Sequence, residues 1–197
     1  MKLRGALAVS LLALSACATP VNTRYYTLSA GAPPPAKVAG VAPEYSVAIG
    51  RVTVPEALDR QQMVLRVAPN RYAIADAERW ATPLKREIPE VIAQEVGQRL
   101  PAAQVAAYLQ HGGQDADYRV LIDVLRFEAA PGVSVTLEAA WTVRRRTGAP
   151  LHEARSVFVE RVTASGVAPL VSAHAKALAA LALEIAEAVK ALAKQTK

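Results

Sequence analysis

The sequence predicts an α+β fold, a mostly antiparallel sheet with two main helices packed on it as an α/β sandwich. Three observations carry this. Between residues 118 and 162, three runs of alternating apolar residues are broken only by turn residues at Pro131-Gly132 and Gly148-Ala149-Pro150, the pattern of an antiparallel meander. Around residues 82–100, Leu84, Ile88, Val91, Ile92, Val96 and Leu100 recur at helical spacing and so share one face. From Ala168 to Lys194, Val171, Leu178, Leu181, Ile185, Val189 and Leu192 form a stripe close to a heptad, which either packs on the sheet or serves in part as an oligomer interface.

In chain order, the first segment reads as an export signal. Met1-Lys2-Leu3-Arg4 is basic, Ala6 to Leu14 is apolar apart from Ser10, and the run ends at Leu14-Ser15-Ala16-Cys17. A basic start, a short apolar core and small residues at the cut are the layout of a secretory signal. The core is far below the roughly 20 residues that span a bilayer. Leu-Ser-Ala-Cys is a lipobox: the Cys17 thiol is expected to carry a diacylglycerol unit, with cleavage before it and acylation of the new amine. Several acyl chains anchor durably where one binds only marginally. Cys17 is the only cysteine of the chain, so no intramolecular disulfide competes for it. Ala18 in place of Asp leans toward the outer membrane.

The expected organisation is a signal peptide at 1–16, a lipidated tether with a short strand and a Pro-rich linker at 17–44, and one periplasmic α+β domain at 45–197. Within the tether, Tyr25-Tyr26-Thr27-Leu28 is β-prone, and Ala30 to Pro43, with Pro33-Pro34-Pro35, has linker composition and polyproline character. Such a linker lets the first strand reach a distant part of the sheet.

The domain opens with a strand from Tyr45 to Val54 whose apolar alternation slips at Gly50-Arg51, as at a bulge. Pro55 to Arg60 reads as a turn or a single helical turn. Met63–Val67 and Arg71–Ala75 read as a hairpin around Pro69-Asn70. The first helix is expected from Thr82, as N-cap, with Pro83 at the first helical position. Pro89 interrupts it, so either a kink or a helix beginning near Pro89 is expected. Pro101 ends it. In the meander, Val133, Val135, Leu137, Ala139, Trp141 and Val143 fall on one face, whereas the 118–127 run is apolar on both.

The chain has 197 residues and a formal charge of +6, enough for one domain with a real core. Two of the positive charges, Lys2 and Arg4, belong to the signal. No interleaving of basic and aromatic residues points to nucleic acid. Arg144-Arg145-Arg146 is the densest basic cluster, either a contact for anionic headgroups or an acidic partner or a solvated hairpin. The three histidines, His111, His152 and His174, lack ligand spacing. Ser134 and Ser165 lie in no nucleophile elbow, Gly112-Gly113 has no phosphate-loop Lys, and Asp115 and Asp117 read as a loop before a strand. No catalytic site, metal or cofactor is expected.

Four segments in order resemble one family. They are the lipobox followed by Tyr25-Tyr26-Thr27-Leu28; Pro55-Glu56-Ala57-Leu58-Asp59-Arg60; Arg79-Trp80-Ala81-Thr82-Pro83-Leu84 opening the first helix; and Asp117-Tyr118-Arg119-Val120 leading a strand. Together they resemble the ABC-type transport auxiliary lipoproteins, the PqiC-like group tied to intermembrane (MCE-type) lipid transport. Pro89 departs from that pattern. The resemblance implies a non-catalytic accessory lipoprotein at the periplasmic face of the outer membrane, working with an MCE-type periplasmic protein and an inner-membrane ABC permease and ATPase, and a homo-oligomeric, ring-like assembly. An envelope-assembly lipoprotein without a transport role is the alternative. Arg79 and Trp80 are the candidate partner or subunit contacts, since Trp and Arg often anchor interfaces; the other role open to Trp80 is packing the helix onto the sheet.

Overall fold

The computed structural model describes residues 22–28, 42–107, 115–146 and 149–195. Cys17, the lipobox, the Pro33–Pro35 linker and His111 lie outside these residues. The described elements are β1 (Arg24–Tyr26), β2 (Tyr45–Thr53), a 3-10 turn (Glu56–Leu58), β3 (Gln62–Ala68), β4 (Arg71–Trp80), α1 (Leu84–Arg99), β5 (Ala103–Ala107), β6 (Tyr118–Ala130), β7 (Ser134–Arg145), β8 (Pro150–Arg161) and α2 (Ala168–Lys194).

β6 organises the sheet. One of its edges pairs antiparallel with β7, which pairs antiparallel with β8. Its other edge is shared: the first half pairs parallel with β2, and the far end meets β3 at Leu65↔Ala129. β2 continues to β5, in parallel. β3 continues to β4, antiparallel, and β4 to β1, in parallel. The sheet is therefore open and mixed, with its long ladders antiparallel, and it forks on one side of β6. The eight residues 54–61 carry the strand path from one prong to the other, with Leu58 buried beneath.

Both helices cover one face. α1 packs on β2 and β5, α2 packs on β6, β7 and β8, and the helices touch each other. Tyr118, Val120, Ile122, Val124 and Phe127 from β6 and Leu137, Ala139, Trp141 and Val143 from β7 join the helical stripes in one apolar core. Burying each large side chain contributes about 1.5–3 kcal/mol. α2 is long and apolar enough to cross a bilayer by length and composition, yet Leu178, Leu181, Ile185 and Val189 are wholly buried within the protein. Alanines at 173, 177, 182 and 186 are also buried on this helix, and small residues allow the close approach. Val171 and Leu192 sit half-buried at the stripe's margin.

The helix start differs from expectation. β4 runs through Arg79 and Trp80, and α1 begins at Leu84 with Pro83, not Thr82, at the N-cap. The Arg86 and Glu87 amides donate to the Pro83 carbonyl at 2.9 and 3.1 Å. The helix continues unbroken past Pro89. Proline there forfeits the bond to the Lys85 carbonyl, and burial of Leu84, Ile88, Val91, Ile92 and Val96 outweighs that local cost. β5 was not anticipated, because Ala-Gln-Val-Ala-Ala carries little β propensity; pairing with β2 makes it a strand. At Pro131-Gly132, Gly132 takes φ 72° and the Val133 amide donates to the Ala130 carbonyl at 3.0 Å, a turn that needs positive φ at its third residue.

The slip at Gly50-Arg51 is a register shift between Ile49 and Val52 against β6. A Cβ on Gly50 would lie 2.8 Å from the Val120 carbonyl oxygen, so the bulge brings two backbones into contact that no side chain permits. Gly50→Ala is expected to destabilise the protein by about 1–3 kcal/mol, read as a lower urea midpoint with unchanged slope. A midpoint equal to wild type would mean that the β2–β6 contact relaxes freely.

His174, on α2, is buried between aromatic rings, its centroid 4.1 Å from Phe127 and 5.7 Å from Trp80. Burial pushes its pKa down from 6.5 to about 3, so the folded state holds it neutral. The unfolded chain takes up the proton first as pH falls. The stability that neutral His174 supplies is complete above about pH 6.5 and is lost between there and about pH 3, at up to about 1.4 kcal/mol per pH unit. His174→Phe is expected to flatten the slope of unfolding free energy across that window. An unaltered slope would show that His174 does not govern it.

Candidate functional site

The described residues hold no cluster of three or more His, Cys, Asp or Glu side chains. His152 stacks at 5.0 Å on Trp141. What the structure builds with buried polar groups is a junction where the N-terminal segment joins the fold.

β1 is short, and three backbone pairings to β4, Arg24↔Glu78, Tyr25↔Arg79 and Tyr26↔Trp80, would hold it weakly alone. Two buried carboxylates reinforce it. Glu78, on β4, accepts from the Arg24 guanidinium and from the Tyr26 hydroxyl, a bond that holds the Tyr26 pKa above the usual phenol value. Glu87, in the first turn of α1, accepts from the Thr27 hydroxyl and, at 2.8 Å, from the Leu28 amide. The Ala81 amide donates to the Tyr26 carbonyl at 2.8 Å, and Leu28 is buried in the core. Charge-assisted bonds of this kind are the stronger ones, and an acid in the first turn also suits the helix dipole. Tyr25-Tyr26-Thr27-Leu28 is thus a strap across the start of α1.

The other motif segments frame the same junction or its counterpart. Asp59, which follows the 3-10 turn, pairs with Lys85 of α1 at 2.6 Å. Asp117 accepts from the Ser46 amide and hydroxyl at 2.8 and 2.7 Å, while its own amide donates to Ser46 Oγ at 2.9 Å. The two Ser46 bonds hold the Asp117 carboxyl below its usual range. This seals the parallel start of β2 and β6, with Tyr45 and Tyr118 edge to face at 5.9 Å.

Arg79 and Trp80 are neighbours in sequence with opposite environments. Trp80 is 4% exposed and packs edge-on against His174, joining β4 to α2. Arg79 projects outward, its Nε donating to the Asp76 carbonyl at 3.3 Å. Arg146, of the basic triplet, reaches Asp115 at 3.4 Å. Sequence reasoning missed Glu78 and Glu87. The available signal was two acids on otherwise inward-facing positions, Glu78 in phase with Trp80 and Glu87 beside Ile88.

Glu87→Ala removes the acceptor shared by the Thr27 hydroxyl and the Leu28 amide and leaves that buried amide without its partner, at a cost of about 1–3 kcal/mol. Hydrogen exchange should quicken at residues 24–28 well before the α2 amides change. Unchanged protection at 24–28 would mean that strand pairing alone holds β1.

The fold is shared with solved structures at low identity. A crystal structure of an uncharacterized protein superposes with a TM-score of 0.71 at 20% identity, covering 85% of this chain and 99% of that one. A Xanthomonas campestris protein superposes at 0.67 and 15% identity, covering 88% and 100%. No curated protein matches the sequence. The family model described as "ABC-type transport auxiliary lipoprotein component" matches residues 26–186, from the strap through most of α2; the chain therefore belongs to the ABC-type transport auxiliary lipoprotein family.

Proposed function

We propose that the chain is a membrane-anchored accessory lipoprotein of an ABC/MCE-type intermembrane lipid transport system, a non-catalytic docking or assembly component at the periplasmic face of the outer membrane. Family membership over residues 26–186 carries the proposal, since the family is one of auxiliary lipoproteins and not of enzymes. The lipobox supplies the anchor at Cys17. β1 begins at Arg24, so the lipid-bearing residue stands within about 25 Å of the sheet's edge even when the intervening chain is extended. The strap then passes any pull on the tether to Glu78 and Glu87 and hence to the core. Arg79, half-buried on β4 beside Tyr25 of the edge strand, is the side chain we assign to partner contact; Trp80 supports it from within.

Cys17→Ser is expected to move the chain from the membrane to the soluble periplasmic fraction, and mass spectrometry of the native N-terminus should find acylated Cys17. Tagged wild-type protein recovered from native membranes should bring an MCE-type protein with it. An unmodified Cys17, or recovery of cell-wall or barrel-assembly proteins without an MCE protein, would overturn the proposal.

A further inference from the structure

Among the described residues β8 pairs only with β7, which leaves a twelve-residue strand with an open outer edge. Long exposed edges are usually blunted by lysines, prolines or bulges, because they template pairing with another chain. β8 has no lysine, its one proline is the first residue, and its one ladder irregularity, at Leu151, lies beside that proline, so that Glu153–Arg161 runs unbroken. On the face away from the helices it shows Glu153, Arg155, Val157, Val159 and Arg161 in alternation. Val157 and Val159 are 56% and 59% exposed. Arg155 is committed to Glu138 of β7. Glu153 and Arg161 are exposed, and neither has an ion-pair partner among the described residues.

The order of these side chains is self-complementary, and we infer that β8 pairs antiparallel with β8 of a second copy about a two-fold axis at Val157. In that register Glu153 of each copy stands opposite Arg161 of the other, Val159 lies against the aliphatic stem of Arg155, and the two Val157 side chains meet on the axis. Opposite charges directly across a strand pair stabilise it and like charges oppose it. Moving the axis one residue to Phe158 sets Arg155 opposite Arg161, a like-charge pair, so the charges select the register as well as the partner. Such a contact is isologous and closes on two copies; any larger ring needs a second, different interface. The two sheets become one, with all four helices on the same side.

The inference is independent of the transport proposal. The test is cysteine cross-linking of the full chain in its native membranes, with wild type as background. Across the axis the Cα atoms of Val157 are about 4.5–5.5 Å apart, within the span of a disulfide, whereas those of Val159 are roughly 14 Å apart. Val157→Cys is expected to run largely as a covalent dimer and Val159→Cys at background. Glu153→Arg added to Val157→Cys should abolish the dimer band, and further addition of Arg161→Glu should restore it. Equal cross-linking at 157 and 159, none at 157, or failure of the double reversal to rescue would each overturn the pairing. A chain that cross-links through 157 yet recovers no MCE protein keeps the contact and loses the transport role.

Discussion

β6 spans thirteen residues, and its neighbours on one side are shorter and start from different places. The constraint is geometric: every buried backbone group on that edge needs a partner. The chain satisfies it by bringing β2 along the first half and β3 to the far end. The fork follows, and the rest follows from the fork. β2 needs Gly50 where its backbone crowds Val120. The passage between prongs needs the 3-10 turn and the burial of Leu58. The β3–β4 prong, carried past the edge of α2, needs Trp80 against His174 to tie it back.

Buried carboxylates do the corresponding work at the N-terminus. An ionised group costs several kcal/mol to bury unless it is paired and hydrogen-bonded, so Glu78 and Glu87 at 7% and 5% exposure each demand a donor. Arg24, Tyr26, Thr27 and the Leu28 amide provide them. Removing the strap strands both acids, which makes three residues of β1 more firmly held than three backbone pairings allow. Under the proposed anchoring at Cys17, this firmness makes β1 the point at which the fold itself is attached.

The meander, both helical stripes and the 168–194 helix were legible because their apolar periods are set by burial against a single core. The bulge at Gly50-Arg51 was legible as a phase slip. α1 misled at its start: Thr82-Pro83 satisfies local capping rules, yet β4 runs to Trp80, the Ala81 amide is taken by the Tyr26 carbonyl, and the helix begins only at Leu84. β5 was illegible because its residues prefer helix and only the open edge of β2 recruits them. Glu78 and Glu87 were missed for a related reason. Their partners lie 52 to 60 residues away, and no local pattern reports so distant a contact.

The face of the sheet opposite the helices explains why one layer suffices there. Arg66, Glu128, Arg126, Glu138 and Arg155 alternate in charge from β3 across β6 and β7 to β8. Burial alone would raise the Glu128 pKa, but the Tyr72 hydroxyl, Arg126 and Arg66 together hold it below its usual value. The two acids are largely buried while Arg126 and Arg155 keep their ends in water, so the partial burial of each pair limits what it adds to stability. Their effect is on solubility: long arginine stems cover the strands while the charged ends stay in water. That cover runs out at the sheet's last strand, where Arg155 is committed to Glu138 and the two valines beyond it stand bare. Other strands also expose single large apolar side chains, Ile74 and Leu125 among them, but on β8 two exposed valines, Val157 and Val159, stand side by side on one face of an unpaired edge.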